Sequence, residues 1–349
     1  MYERRENPDF SWSNSRKEMF DDCKRAYYYH YYGSHNGWES GADYAAYQAY
    51  HLKNTLSMPL AFAKGVQHAV GRFVGVYQRR AAGDSAEEMK AGDFTRIVKE
   101  SLHAACMKAA DKAGWQARPR QNPMFLEKLN YHAGLKAPAV QAVIKKIKGQ
   151  FDDIAKNFFA SPTVKEIQGG AEVVENYEDF GSGSFLMGSQ KNSKVILKVW
   201  GKADTVHKKD GKYIATLWRT GTQPKDEAAE RFHAEVIIIY LCMKYHLKGT
   251  DGLVRVCDLN TGKTKTYAFK DKAEYEKALE GIRDSAGMMA GYLENKDITV
   301  NKALPMNKFP QKKNHEDCRS CPFFLLCVQE AQNKKKPEPG KKPEPKKAA

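Results

Sequence analysis

Near its end the chain reads HEDCRSCPFFLLCVQE, which places Cys318, Cys321 and Cys327 within ten residues. Two thiolates two residues apart can face one metal centre across a tight turn, and a third five residues on can close the same site from a helical turn. Any fold for this chain must therefore bring the segment to a fourth ligand, which a tetrahedral zinc and a four-iron cube both require. Pro322, directly after Cys321, matches the habit of cluster loops to set a proline beside a ligand. The candidates for the fourth position are Cys23, His315, Cys106, Cys242 and Cys257. Cys242 follows an apolar helical run and Cys257 sits in a strand-like stretch, which reads as two inert buried thiols. Cys106, in SLHAACMKAA, reads as a small helix-packing residue. Cys23 and His315 remain, the histidine suiting zinc. Seven cysteines, an odd number, argue for metal binding or free thiols over a disulfide framework.

Helical periodicity dominates the first half. SWSNSRKEMFDDCKRAYYYHYYG sets Phe20, Cys23, Tyr27 and Tyr31 on one helical face, which turns Cys23 toward the core. Helices are expected from Phe62 to about Arg80, from Ser85 as cap to Ala113, and over 138–160. Strands then follow: GGAEVVENYEDF, GSFLMG, KVILKVWGKADTVHK and GKYIATLWRTG, the last two joined as a hairpin at Lys209-Asp210-Gly211. KDEAAERFHAEVIIIYLCMKYHL reads as a helix packed on several sides, GLVRVCDL and KTKTYAFK as strands, and DKAEYEKALEGIRDSAGMMAGYLE as an amphipathic helix. The expected domain spans 1–332, with a helical part over about 62–165, a sheet-containing core over about 166–300 and the cysteine segment at 315–330. The remainder, 333–349, repeats KKPEP without aliphatic residues and reads as a disordered basic tail.

The formal net charge is +15, of which the tail from Lys334 contributes +5, so the body is itself basic and a polyanionic partner is expected. No apolar run of about eighteen residues suits a membrane span. MYERRENPDFSW lacks the apolar stretch of a secretory leader, giving a cytoplasmic expectation.

The N-terminal pattern from Ser11 through Cys23 and Arg25 to Tyr29, taken with the terminal cysteine trio, resembles the RecB-like branch of the PD-(D/E)XK nuclease superfamily, which includes AddB-type recombination nucleases and CRISPR adaptation exonucleases. The resemblance implies a restriction-endonuclease-like α/β fold, a central mixed sheet flanked by helices with a helical insertion. It also implies a 4Fe-4S cluster held by Cys23, Cys318, Cys321 and Cys327 that staples the two ends together. Gly65-x-x-His68 looks like the family's histidine motif, and Gly201-Lys202-Ala203-Asp204 like the strand whose aspartate holds a divalent cation.

The next motif departs from the family. Where a D-x-K-T-G ending is expected, the chain has Leu217-Trp218-Arg219-Thr220-Gly221. Leu217 offers no oxygen to a hard cation. Arg219 keeps a charge but is a permanently protonated planar group, unlike the lysine it replaces. In the family's Q-x-x-x-Y motif, Val236 takes the glutamine position and Tyr240 remains. The expectation is a nuclease-like protein whose remnant site is His68, Asp204, Arg219 and Tyr240, binding DNA within a DNA-processing or defence complex. Two alternatives are an active Mg²⁺- or Mn²⁺-dependent deoxyribonuclease, in which Glu235 and Lys202, the latter on the strand face of Asp204, stand in for the lost groups, and a protein-interaction scaffold using the tyrosines at 27–32.

Overall fold

A computed structural model describes residues 4–130, 138–178, 183–190, 194–221, 226–312, 318 and 320–328. The cap-rich start forms a short strand β1 (Trp12–Ser13), then α1 (Asn14–Asp22) and α2 (Lys24–Tyr28), with Ser13 Oγ accepting from the Arg16 amide. The single N-terminal helix read from the sequence is broken at Cys23, which is extended (φ −152°, ψ 110°) and serves as C-cap of α1 and N-cap of α2. A π-helical turn, Tyr29–Gly33, follows.

Helices α3 (Tyr44–Lys53), α4 (Met58–Ala81), α5 (Ala91–Ala110), α6 (Lys112–Ala117), α7 (Leu126–Asn130), α8 (Pro138–Lys148), α9 (Phe151–Ala160) and α10 (Pro162–Gln168) make up the helical part. The long α4 is held at its start by Ser57 and by Glu127, whose two oxygens accept the Met58 amide at 3.0 and 3.2 Å. Its stripe of Phe62, Val66, Ala69, Val70, Phe73 and Val74 is wholly buried, as helical spacing demands. Two boundaries differ from expectation. The helix expected from Ser85 starts at Ala91, where Lys90 and Asp93 share a capping arrangement, and the 138–160 helix divides at Gly149-Gln150 into α8 and α9.

Strands β2 (Glu172–Asn176), β3 (Ser184–Gly188), β4 (Ile196–Trp200), β5 (Thr205–Lys209), β6 (Lys212–Arg219), β7 (Gly252–Asp258) and β8 (Lys263–Tyr267), with helices α11 (Glu227–Tyr245) and α12 (Lys272–Ala290), complete the architecture. The fold is mixed α/β. One sheet has the order β1-β4-β3, the other β2-β5-β6-β7-β8. The expected β5–β6 hairpin is present, with Lys209 opposite Lys212. β6 and β7 are parallel, and α11 makes the crossover between them. The stretch expected as one strand, KVILKVWGKADTVHK, instead changes sheets over Gly201–Asp204: β4 lies in the first sheet and β5 in the second. A Cβ on Gly201 would stand 3.0 Å from Tyr240 Cβ and 3.2 Å from the Val236 carbonyl oxygen, tighter than ordinary contact, so glycine lets this segment pass close to α11.

Ile237, Ile238 and Ile239 of α11 are fully buried, as their apolar run predicts. The helical part and the sheet share apolar packing through Trp218, whose ring lies 4.9 Å from that of Phe158. Among the described residues no helix is long and apolar enough to cross a membrane. The tail at 333–349 and His315 lie outside the described residues.

Candidate functional site

Asp204 sits at the sheet change, just before β5, and is 8% exposed. Its Oδ1 accepts from Gln67 Nε2 at 2.9 Å and its Oδ2 from the Trp218 amide at 2.8 Å. Burial raises its pKa above the usual carboxylate range, opposed by the Trp218 amide, the Arg219 charge, Gln67 and Lys202. Leu217, where the resemblance leads one to expect an acid, is buried in the core at 4% exposure. Both carboxylate oxygens already accept protein N–H groups, and the facing position carries no oxygen. Of these two positions only Asp204 offers a carboxylate, so the corner is poorer in oxygen ligands than the usual site of a hard divalent cation.

The other expected site residues divide into separate contacts. His68 is half exposed, and its Nδ1 lies 2.5 Å from Glu178 Oε1. It is Gln67, one residue earlier on α4, that reaches Asp204. Arg219 Nη2 donates to His233 Nδ1 at 2.9 Å, and its buried Nε has no partner among the described residues. Burial and then the Arg219 charge push His233 down to about 4, so it accepts this bond as a neutral imidazole. Lys202 does not lie on a strand face: it occupies the sheet-change segment, with Nζ donating to the Tyr177 carbonyl at 2.6 Å. Glu235 accepts from Arg231 at 2.8 Å, an ion pair on α11 beside α12. Tyr240 donates to Glu175 at 3.0 and 3.1 Å, in a cluster with Lys244 and Tyr245. Val236 is pure core.

Gln67, Glu178, His233 and Glu175 are absent from the sequence reading. Gln67 adjoins a quoted motif and could have been found there. The carboxylates pair with residues 65 and 110 positions away, a separation no local pattern carries.

The chain ends meet around Cys23. Arg25, buried beneath the C-terminal segment, receives that segment directly: its amide donates to the Pro310 carbonyl at 3.2 Å and its Nε to the Phe309 carbonyl at 2.9 Å. Lys312 pairs with Asp22 at 2.9 Å. Beyond it, the Cys321 amide closes a turn on the Cys318 carbonyl at 2.9 Å, and Cys327 follows on a helical turn over 324–328. Burial, then the nearby Cys23 and Cys318 thiols and Asp22, push the Cys321 thiol up to about 11. Cys321 and Cys327 pack on one small cluster with Tyr29, Leu52 and Phe323.

These thiols are soft donors drawn from both the N-terminal and the C-terminal segments. Among the described residues no three His, Cys, Asp or Glu side chains are grouped closely enough to hold a metal ion as they stand. Cys242 and Cys257 are buried, in line with inert core thiols, whereas Cys106 is exposed on α5 and does not pack as expected.

No family model and no curated protein matches this chain. Seven solved chains resemble it. One, described as the crystal structure of SSO0001, aligns at 15% identity with a TM-score of 0.24, covering 58% of this chain and 81% of that one, a likeness too slight to carry any argument.

Proposed function

We propose that this protein is a nuclease-like, iron-sulfur protein that has lost its water-activating chemistry and binds DNA within a DNA-processing or defence complex. The observation that carries this reading is the engagement of both Asp204 oxygens by Gln67 and Trp218 opposite Leu217. The cationic groups of that corner persist, since Arg219 and Lys202 both act electrostatically on Asp204. Such groups position a phosphate backbone without cleaving it.

In this reading Cys23, Cys318, Cys321 and Cys327 hold a 4Fe-4S cluster, with zinc as the alternative. The bound group would supply a covalent tie between the chain ends, reinforcing the Arg25 and Lys312 contacts. The decisive measurements are the visible absorption and metal content of anaerobically purified protein, joined to DNA binding across a salt series. Iron-linked absorption and affinity that falls steeply with salt are expected. A colourless, metal-free protein, or DNA affinity indifferent to salt, would count against it.

A second reading, a metal-dependent deoxyribonuclease with a relocated acid, is favoured by Glu178, which sets a carboxylate beside His68. Cleavage of labelled DNA with Mg²⁺ or Mn²⁺ that disappears in Glu178→Gln would establish it in place of the first.

A further inference from the structure

A cavity of about 820 Å³ lies where the parallel strands β6 and β7 end. Thr220 and Gly221, which follow β6, and Asn260, which follows β7, line it. Helix α8 adds Val140, Val143 and Ile147, and the start of α4 adds Leu60 and Phe62, so most of the wall is apolar. Crevices outside the carboxyl ends of parallel strands are where α/β folds hold ligands, and this one has the size that encloses a small molecule.

Three polar side chains in the wall keep unused hydrogen-bonding capacity. Thr220 is 7% exposed, and its hydroxyl has no partner among the described residues. Gln150, at the break between α8 and α9, donates from Nε2 to Asn260 Oδ1 at 2.6 Å. Among the described residues neither the Gln150 oxygen nor the Asn260 amide nitrogen is otherwise engaged. Whichever way the two amides are turned, the pair offers a free acceptor and a free donor.

The pair is held in place by its surroundings. The Asn260 amide donates to Asp258 Oδ1 at 2.9 Å, the Leu259 amide to the Arg219 carbonyl at 2.8 Å, and Asn157 Nδ2 to the Leu259 carbonyl at 2.9 Å. The wall contains one carboxylate, Glu127, and one ammonium, Lys146, so it selects no net charge. Glu127 is itself engaged, both oxygens accepting the Met58 amide. A neutral ligand that meets a donor and an acceptor in one wall is therefore called for. A trans peptide group points its N–H and C=O to opposite sides and cannot do this. A nucleobase carries both on neighbouring atoms of one edge, on a flat body suited to apolar walls.

We propose that this cavity binds a nucleobase, either of a free nucleoside or turned out of a single strand, with Gln150 and Asn260 pairing with its edge and Thr220 bonding a further polar atom. The site shares no residue with the Asp204 corner and does not rest on the proposed DNA function.

Calorimetric titration of the full chain with adenosine, guanosine, cytidine and uridine tests the assignment. Gln150→Met and Asn260→Leu remove the two amides at nearly constant volume, and Thr220→Val removes the hydroxyl. At least one nucleoside is expected to bind wild type saturably, about tenfold more weakly to Gln150→Met and Asn260→Leu, and severalfold more weakly to Thr220→Val. Methylation of that nucleoside on the hydrogen-bonding edge of its base should weaken binding to wild type as much, a comparison that holds even where a variant fails to fold. No saturable binding of any of the four would overturn the site. Equal affinity in folded Gln150→Met and Asn260→Leu, or for the edge-methylated nucleoside, would overturn the pairing with a base edge. Displacement of the nucleoside by a single-stranded oligonucleotide makes the base that of a strand, and lack of displacement makes it that of a free nucleoside. Salt-sensitive DNA binding by a chain that takes up no nucleoside would sink this inference alone, whereas nucleoside uptake by a chain that binds no DNA would sink only the DNA reading.

Discussion

The Trp218 amide donates to Asp204 Oδ2 at 2.8 Å, across the β5–β6 hairpin and one residue beyond Leu217. This carboxylate thus satisfies a buried main-chain donor. Asp204→Ala would leave that amide and the Gln67 side chain without their acceptor, and should cost about 1–3 kcal/mol in denaturant-induced unfolding. Because burial raises the Asp204 pKa, the folded chain holds this proton more tightly than the unfolded chain does. The contribution favours folding below the ordinary carboxylate range and is lost as pH rises through the raised value. Urea midpoints from acid to neutral pH should show a shallower fall over that window in Asp204→Asn than in wild type.

Glu166 provides the opposite sign. Burial opposes its ionisation, but Arg255, at 2.5 and 3.0 Å, with His207 and Lys209, brings its pKa down to about 2. Its contribution is therefore present above the ordinary glutamate pKa of about 4.3 and is lost as pH falls toward 2. Glu166→Gln should lower stability by about 1–3 kcal/mol at neutral pH and flatten the acid limb of the stability profile. A variant with the same acid limb as wild type would show that the cluster does not act through charge.

At Gly201 the constraint is steric. An added methyl group would press on Tyr240 Cβ and the Val236 carbonyl, both on the buried face of α11. Gly201→Ala should destabilise by about 1–3 kcal/mol, read from its thermal midpoint, even though alanine alone would be the better residue in an unstrained backbone.

These positions show where sequence was sufficient. The isoleucine run of α11 and the hairpin at Lys209-Asp210-Gly211 follow from local pattern, and both form as expected. The burial of Leu217 and Val236 likewise follows from their apolar side chains within a strand and a helix of the core. What no pattern carried was side-chain pairing at long separation: Gln67 with Asp204, Glu178 with His68, His233 with Arg219. Local competition also misled. Ser85 looked like a cap, yet the helix starts where Lys90 and Asp93 close the first turn. The continuous spacing through Cys23 concealed a break that the packing of Phe20 against Tyr27, at 5.1 Å, accommodates.

That break leads to the last prediction. With Cys23 extended between two helices, the amide and guanidinium of Arg25 turn to the carbonyls of Pro310 and Phe309, and the C-terminal segment is held before any cysteine of the trio is reached. Arg25→Ala removes the Nε bond but leaves the amide bond, and strips a buried planar group from between the two segments. It should destabilise the chain by about 2–4 kcal/mol, with the loss concentrated at the ends. Hydrogen exchange would then quicken in 306–312 and α2 while α11 kept its protection. If the four cysteines hold a cluster, Arg25→Ala should also release iron to a chelator faster than wild type, and Cys321→Ser should lose the metal while retaining the Arg25 contacts. Equal protection of 306–312 in wild type and Arg25→Ala would mean that the segment is held by something other than this residue.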